Sequence, residues 1–205
     1  MVALLPHMLP QRISLASTSP RRRELLGKLG VTAVVVASDG DEDTITFESI
    51  HGASAPTEAH AMQLAAARAQ IKALGAAPAP EAPVLLAADT VVFGAGRLLE
   101  KPIDAADARA MLAQLSGIEH LVATAVTLRV SESITERFCE VTRVRMRELT
   151  TSDIDWYVAT DEWRGVAGGY RLQGGGNGLI ETVVGDPSTV VGLPLGRVYS
   201  ILSSL

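Results

Sequence analysis

The chain has 205 residues, with 18 Lys and Arg against 23 Asp and Glu for a formal net charge of −5, and is 47% hydrophobic but only 4% aromatic. That balance describes a globular protein able to bury about 70% of its unfolded surface, and it argues against a general nucleic-acid binder with a domain-wide basic field. A single cysteine, Cys139, leaves no internal disulfide and no zinc cluster, and no apolar run approaches the ~20 residues of a membrane helix, so a cytoplasmic location with no membrane contact is expected.

The opening MVALLPHMLPQR has two prolines and no apolar run long enough for a signal peptide. Residues 13–16 read as a short strand, and 17–20 as a turn into a helix that Pro20 opens, with Leu25, Leu26 and Leu29 as its apolar stripe and Gly30 as its stop. Residues 31–37 form a β-branched strand, followed by the acidic loop SDGDEDT. A helix is predicted from Pro56 and Thr57 to Gly75, with Glu58 in its first turn, and AAPAPEAP is a connector. VLLAADTVVF is then an apolar strand interrupted by Asp89, turned by GAGR into a hairpin that ends at LLEKP. Asp104 is an N-cap, with Asp107 at N3, for a helix closed by Ser116 and Gly117. Two strands, 120–130 and 137–147, are joined around 131–133, and Thr151, Ser152 and Asp153 open a short helix. The tail reads as strand, turn and a last helix after Pro194. Alternating strands and helices with hairpins predict an α/β fold around a mixed sheet, in one domain or two small lobes.

Three segments could carry chemistry. In ISLASTSPRRR a strand end, small hydroxyl residues and a helix start place free amides and the positive dipole end beside Arg21, Arg22 and Arg23. An anion site and a plain capped helix with solvated arginines explain this equally well. Asp89 is an acid in an apolar strand, where an unpartnered carboxylate costs several kcal/mol, so a cation or a cleft is favoured over a structural pair. The hairpin could bring Lys101 beside it, while Arg68, mid-helix among alanines, reads as a solvated arginine. RLQGGGNG permits close approach of a ligand, although by itself a loop is the plainer reading. His7, His51, His60 and His120 show no metal-binding spacing, and Ser17 and Ser19 lie in no GxSxG context. The alternating Arg143, Arg145 and Arg147 read as a solvated sheet face.

LASTSPRRRELLGKLG, AADTVV, LLEKP, DARAMLAQLSGIEHLVATAV, AGGYRLQG and VVGLPL, in order over residues 13–203, resemble the Maf nucleotide pyrophosphatases, also called septum formation proteins. The resemblance implies a single domain over 1–205, with two lobes of ITPase-like fold around a strongly twisted central mixed sheet and one substrate cleft. It further implies a homodimer and a Mg²⁺- or Mn²⁺-dependent enzyme that hydrolyses nucleoside triphosphates to the monophosphate and pyrophosphate. Its functional positions fall here on Ser17, Arg21, Arg22 and Gln173 for substrate, on Lys101 for catalysis, and on Glu42 and Asp89 for catalysis and metal. The family normally has lysine where this chain has Arg68, which keeps the charge but exchanges a compact ammonium for a broad fork. It commonly has lysine before AGGY, where this chain has Val166. Gln173 resembles the branch acting on dTTP and UTP, since the branch acting on 7-methyl-GTP tends to carry a Ser-Glu pair there, while GGGNG departs from the usual continuation.

On this reading Arg21, Arg22, Arg68 and Lys101 offset phosphate charge, and metal and carboxylate orient a water for in-line attack on the α-phosphorus. The rival of a different class is a nucleotide-binding regulator of cell division without turnover. A third, single-stranded nucleic-acid binding by the arginine strand, lacks stacking aromatics in VTRVRMREL.

Overall fold

The computed structural model describes residues 9–52, 54–130 and 135–205, so the predicted link at 131–133 and the reading of the first eight residues lie outside the described residues. Seven strands, β1 (Arg12–Leu15), β2 (Thr32–Val35), β3 (Leu85–Gly94), β4 (Arg97–Leu99), β5 (Glu119–Arg129), β6 (Thr135–Met146) and β7 (Ile180–Val184), form one sheet. Its order is β2-β1-β3-β5-β6-β7, with β4 hydrogen-bonded to β3. β1 runs parallel to both β2 and β3, and the remaining pairs are antiparallel, as a mixed α/β sheet requires. The helices are α1 (Pro20–Lys28), α2 (Phe47–His51), α3 (Glu58–Leu74), α4 (Ala105–Leu115), α5 (Thr151–Val158), α6 (Pro187–Val191) and α7 (Leu195–Leu202).

Local signals account for most boundaries. Pro20 opens α1, and the chain leaves it through Leu29 and Gly30, whose φ of +75° only glycine adopts without strain. Thr57 accepts the His60 amide at the start of α3, and Asp104 accepts the Asp107 amide at the start of α4. The predicted acidic loop contains a 3₁₀ turn, Glu42–Thr44, and two helices were not predicted. Both α2 and α6 span five residues, too short to show a helical period, although Thr46 and Ser49 close a capping box and Asp186 caps α6. The connector after α3 is held by Ser14, which donates to the Ala82 carbonyl at 2.7 Å and accepts the Ala79 amide at 2.8 Å.

Alternation along β3 sorts the core. On one face Leu86 and Ala88 pack with Leu25 and Leu26 of α1 and Val198 and Leu202 of α7. Further along that face Val92 joins Leu112 of α4 and Tyr157 of α5. The other face carries Leu85, Ala87 and Val91 against Ala73, Ala69 and Ala65 of α3. Between these apolar stretches fall Thr90 on the first face and Asp89 on the second.

Arg143 and Arg145 of β6, and Arg147 just beyond it, do alternate with Val144 and Met146, but their half-exposed face is also ion-paired. Arg143 takes Glu58 with both terminal nitrogens at 2.9 Å, Arg145 takes Glu181 at 3.1 Å, and Arg147 takes Asp153 at 2.7 Å. Arg147 and Thr150 together hold the Asp153 carboxyl well below the usual carboxylate range. Each of these guanidiniums is about half exposed and engaged with a carboxylate.

His120 of β5 is 2% exposed, with Nε2 2.6 Å from the Tyr170 hydroxyl, and burial pushes its pKa down to about 4. An unfolded histidine titrates near 6.5, so between the two values the unfolded chain binds more protons. Stability contributed by the neutral ring is complete above the unfolded value and is lost as pH falls towards 4, by up to on the order of 3 kcal/mol. Urea unfolding at pH 7 and pH 4.5 is expected to show this loss in the wild type and a clearly shallower one in His120→Gln. Parallel pH dependence in the two proteins would refute a buried neutral imidazole.

Candidate active site

The site begins where β1 ends. Ser19, the N-cap of α1, makes no side-chain capping bond, Pro20 has no N–H, and no acid occupies the first turn. The free amides and positive dipole end of α1 therefore stand uncompensated at a cavity of about 620 Å³ lined by Ser17, Thr18, Ser19 and Arg21. Arg22 is 8% exposed and braced on all sides: Nε donates to the Gly192 carbonyl at 2.8 Å, Nη1 to Ser17 Oγ at 3.0 Å and Nη2 to Thr90 Oγ1 at 3.3 Å. Arg21 is freer, with one 3.4 Å contact to the Gly165 carbonyl. Burial, then the neighbouring Arg171 and Arg22, lower its pKa, the signature of a cation held where an anion would relieve it. Arg23 is exposed and lines no part of this cavity.

The acidic side is built by α3. Ala61, Ala65, Ala69 and Ala73 recur every fourth residue with no exposure, so the helix lies close on the sheet. Flanking that stripe, Leu64, Arg68 and Lys72 form a second row. Lys72 is 8% exposed, and its Nζ donates to Asp89 Oδ1 at 2.8 Å and to the Ala88 carbonyl at 3.3 Å. The same ammonium pairs with Glu42 Oε2. Burial lowers the Lys72 pKa, and Asp89 partly restores it.

Glu42 reaches Lys72 because its loop lies directly on the end of α3. The Asp39 amide donates to the Gly75 carbonyl at 2.9 Å, and Ser38 Oγ donates to the Lys72 carbonyl at 2.9 Å while accepting the Gly40 amide. A Cβ on Gly40 would run into the Ile71 carbonyl, and one on Gly75 into Gly40 itself. Only two glycines allow this approach.

Ser17, Arg21, Arg22, Glu42, Asp89 and Lys101 all line the first cavity, so the structure brings together most of the residues singled out in the sequence. Lys101 sits differently from expectation: its Nζ is 3.5 Å from Glu42, and the cation beside Asp89 is Lys72. Arg68 is not solvated. Its Nε donates to the Ile45 carbonyl at 2.9 Å, its terminal nitrogens take Glu100 at 3.0 Å, and it lines a second cavity of about 680 Å³. The two cavities share Glu42, Asp89, Thr90, Lys101 and Ala167, which places the carboxylates at their junction. Val166 lines the first cavity with an apolar side chain, and Gln173 lines neither. The sequence reading missed Lys72, Thr90 and Arg171. Lys72 was legible only as the next position on the Leu64 and Arg68 row, and Thr90 as the second polar break in β3.

Asp89 Oδ2 is buried with no hydrogen-bond partner. A spare anionic oxygen beside Glu42 suits a hard divalent cation, and Mg²⁺ commonly takes one or two protein carboxylates and completes its shell with phosphates and water. Among the described residues no group of three or more His, Cys, Asp or Glu forms a metal cage, so the donor set fits a cation that brings further ligands with it.

The fold is thus an α/β sheet in which the uncapped start of α1, the buried Asp89 and the half-buried Glu42 share one cavity. Residues 12–205 match the model of the family described as Maf-like protein, and the chain belongs to that family. It is 42% identical over 185 residues, 90% of each chain, to a dTTP/UTP pyrophosphatase of Pyrococcus furiosus. It is 43% identical over 191 residues to one of Methylobacillus flagellatus, covering 93% of this chain and 91% of that one. A dTTP/UTP pyrophosphatase of Anaeromyxobacter dehalogenans is 40% identical over 194 residues, covering 93% and 92%. A solved nucleoside-triphosphatase / dITP/XTP pyrophosphatase from Mycobacterium abscessus aligns loosely, with 15% identity, a TM-score of 0.41, and 94% and 96% of the two chains covered.

Gly40→Ala is expected to cost about 1–3 kcal/mol in urea unfolding, because the new methyl meets backbone that has nowhere to move. Gly27→Ala, in the last turn of α1 with nothing within 4 Å, is expected to leave stability unchanged or gain up to about 0.5–1 kcal/mol. Equal effects of the two substitutions would contradict the close packing of the loop on α3.

Proposed function

We propose that this protein is a nucleoside triphosphate pyrophosphatase that acts on dTTP and UTP, cleaving between the α- and β-phosphates. The observation that carries the reading is one cavity with the open start of α1 and Arg21 on one side and Glu42 and Asp89 on the other. The names of the relatives point to the same reaction and the same bases.

The roles follow from what each group can donate. Arg21 and the first-turn amides of α1 bind phosphate oxygens, and Ser17, oriented by Arg22, presents its hydroxyl to the same anion. Arg22 itself braces the floor, because its contacts with Ser17, Thr90 and Gly192 already fix it. Lys101, with a side chain 60% exposed, swings from Glu42 to the leaving phosphates. Gln173, two residues beyond the wall residue Arg171, reads the base from the rim. A divalent cation held by Glu42 and Asp89 would supply charge neutralisation of the phosphates. Asp89 accepts the proton of the attacking water. The new bond forms between water oxygen and α-phosphorus, the bond from that phosphorus to the bridging oxygen breaks, and the electron pair leaves with pyrophosphate. Two lobes around one cleft, a homodimer and a cytoplasmic location belong to the same proposal.

Asp89→Asn keeps the shape and removes the charge, and is expected to lower kcat for dTTP and UTP by about 10²–10⁴-fold with a much smaller change in KM. The measurement is pyrophosphate release across a panel of canonical and modified triphosphates with Mg²⁺ or Mn²⁺. Tight nucleotide binding by wild type with no release on any member would favour a regulatory protein instead.

A further inference from the structure

Lys72 stands outside the roles just assigned, yet it touches both carboxylates of the site. Each of its ammonium hydrogens has a partner: Asp89 Oδ1 at 2.8 Å, the Ala88 carbonyl at 3.3 Å, and Glu42 Oε2. Its side chain is 10% exposed, against 60% for Lys101, the other lysine touching Glu42. The two carboxylates come from segments 47 positions apart, Glu42 from a 3₁₀ turn and Asp89 from β3, and Lys72 is the group that touches both. Arg68, one turn earlier on the same row, is committed to Glu100 and to the Ile45 carbonyl.

We propose that Lys72 is a resident counter-cation: it holds Glu42 and Asp89 together in the nucleotide-free protein and keeps their affinity for free divalent metal low, so that metal enters as its complex with the triphosphate. This rests on the reading of Glu42 and Asp89 as the metal pair and adds an order of events to it. A cation already occupying both carboxylates repels a second one arriving at the same oxygens. With no third acid among the described residues to enlarge the donor set, free metal meets a pair whose charge is half cancelled. A metal-bound triphosphate differs, because its phosphates give the displaced ammonium a new anionic partner in the same cavity, which Lys72 also lines. Lys72 is thus a positioning residue, acting through the carboxylates.

The test is Mn²⁺ titration, followed by the electron paramagnetic resonance of the free ion, with and without a non-hydrolysable α,β-methylene triphosphate. Wild type is expected to take up Mn²⁺ weakly alone and far more tightly with the analogue. Lys72→Met, nearly isosteric and uncharged, is expected to bind Mn²⁺ alone about tenfold more tightly or better, with lowered kcat, and adding Glu42→Gln is expected to cancel that gain. Lys72→Arg retains a cation and is expected to bind Mn²⁺ alone as weakly as wild type; Lys72→Gln, uncharged and polar, is expected to show the same gain as Lys72→Met and supplies the answer should Lys72→Met fail to fold. Uptake with the analogue in every protein, but no gain in Lys72→Met or a marked gain in Lys72→Arg, overturns the role of Lys72 alone. No uptake by wild type even with the analogue overturns the metal reading of the carboxylate pair, and this inference with it.

Discussion

A buried ammonium between two carboxylates is the constraint on which the rest of the site depends. Lys72 is 8% exposed and Asp89 7%, and neither charge could remain there alone: removing one partner of a buried pair typically costs about 3–5 kcal/mol. Satisfying that pair dictates the neighbourhood. The alanine stripe of α3 brings the helix down until the Lys72 Nζ reaches Asp89. Gly40 and Gly75 then let the acidic loop settle on the helix end, where Glu42 completes the cluster. Replacing the cluster by apolar side chains would be at least as stable in principle, so its presence is better explained by what the carboxylates do than by stability.

The cleft itself is a consequence of the period of a β-strand. Asp89 and Thr90 are adjacent in β3, so they emerge on opposite faces, and each interrupts an apolar layer at the same height. Thr90 faces Thr124 across the ladder, their hydroxyls are 2.9 Å apart, and Thr124 in turn donates to the Thr189 carbonyl at 2.7 Å. With Arg22 added, a polar belt divides the apolar cluster under α1 and α7 from the one under α4 and α5. The first cavity opens along this division, which is why residues as distant in sequence as Ser17, Glu42, Asp89 and Arg171 share its walls.

Much of the fold was legible because its signals are local. Proline at the start of α1, Gly30 at its end, Asp104 with Asp107, and the apolar run of β3 each carry their own punctuation. The short helices α2 and α6 were not, since five residues hold too little of a helical period. In the site, Asp89 stood out as a polar residue in an apolar strand, while Glu42 was one acid among several in SDGDEDT and only the resemblance singled it out. Beyond its place on the Leu64 and Arg68 row, Lys72 carried no signal, for a different reason. An isolated lysine on a helix is ordinarily solvated, and nothing in its own neighbourhood says that two acids from elsewhere in the chain will converge on it. Gln173 shows the converse: a motif can single out a residue that lines neither cavity.

The contrast between Arg68 and Lys72 explains how the chain carries arginine where its resemblance to the family predicts lysine. A guanidinium is a planar fork suited to a carboxylate presented side by side, and Arg68 finds that in Glu100, whose side chain is 56% exposed and has water to share. Lys72 meets something different, three oxygens from Asp89, Ala88 and Glu42 converging on one nitrogen. A compact ammonium on a flexible stem meets all three oxygens from one point. The two cations therefore divide along shape: the fork turns outward to the second cavity and clamps the β4 end of the hairpin, and the point charge goes inward to the acids. Because they lie one turn apart on a single helix row, the same face of α3 supplies a cation to each cavity while the sheet and the glycine contact hold the carboxylates.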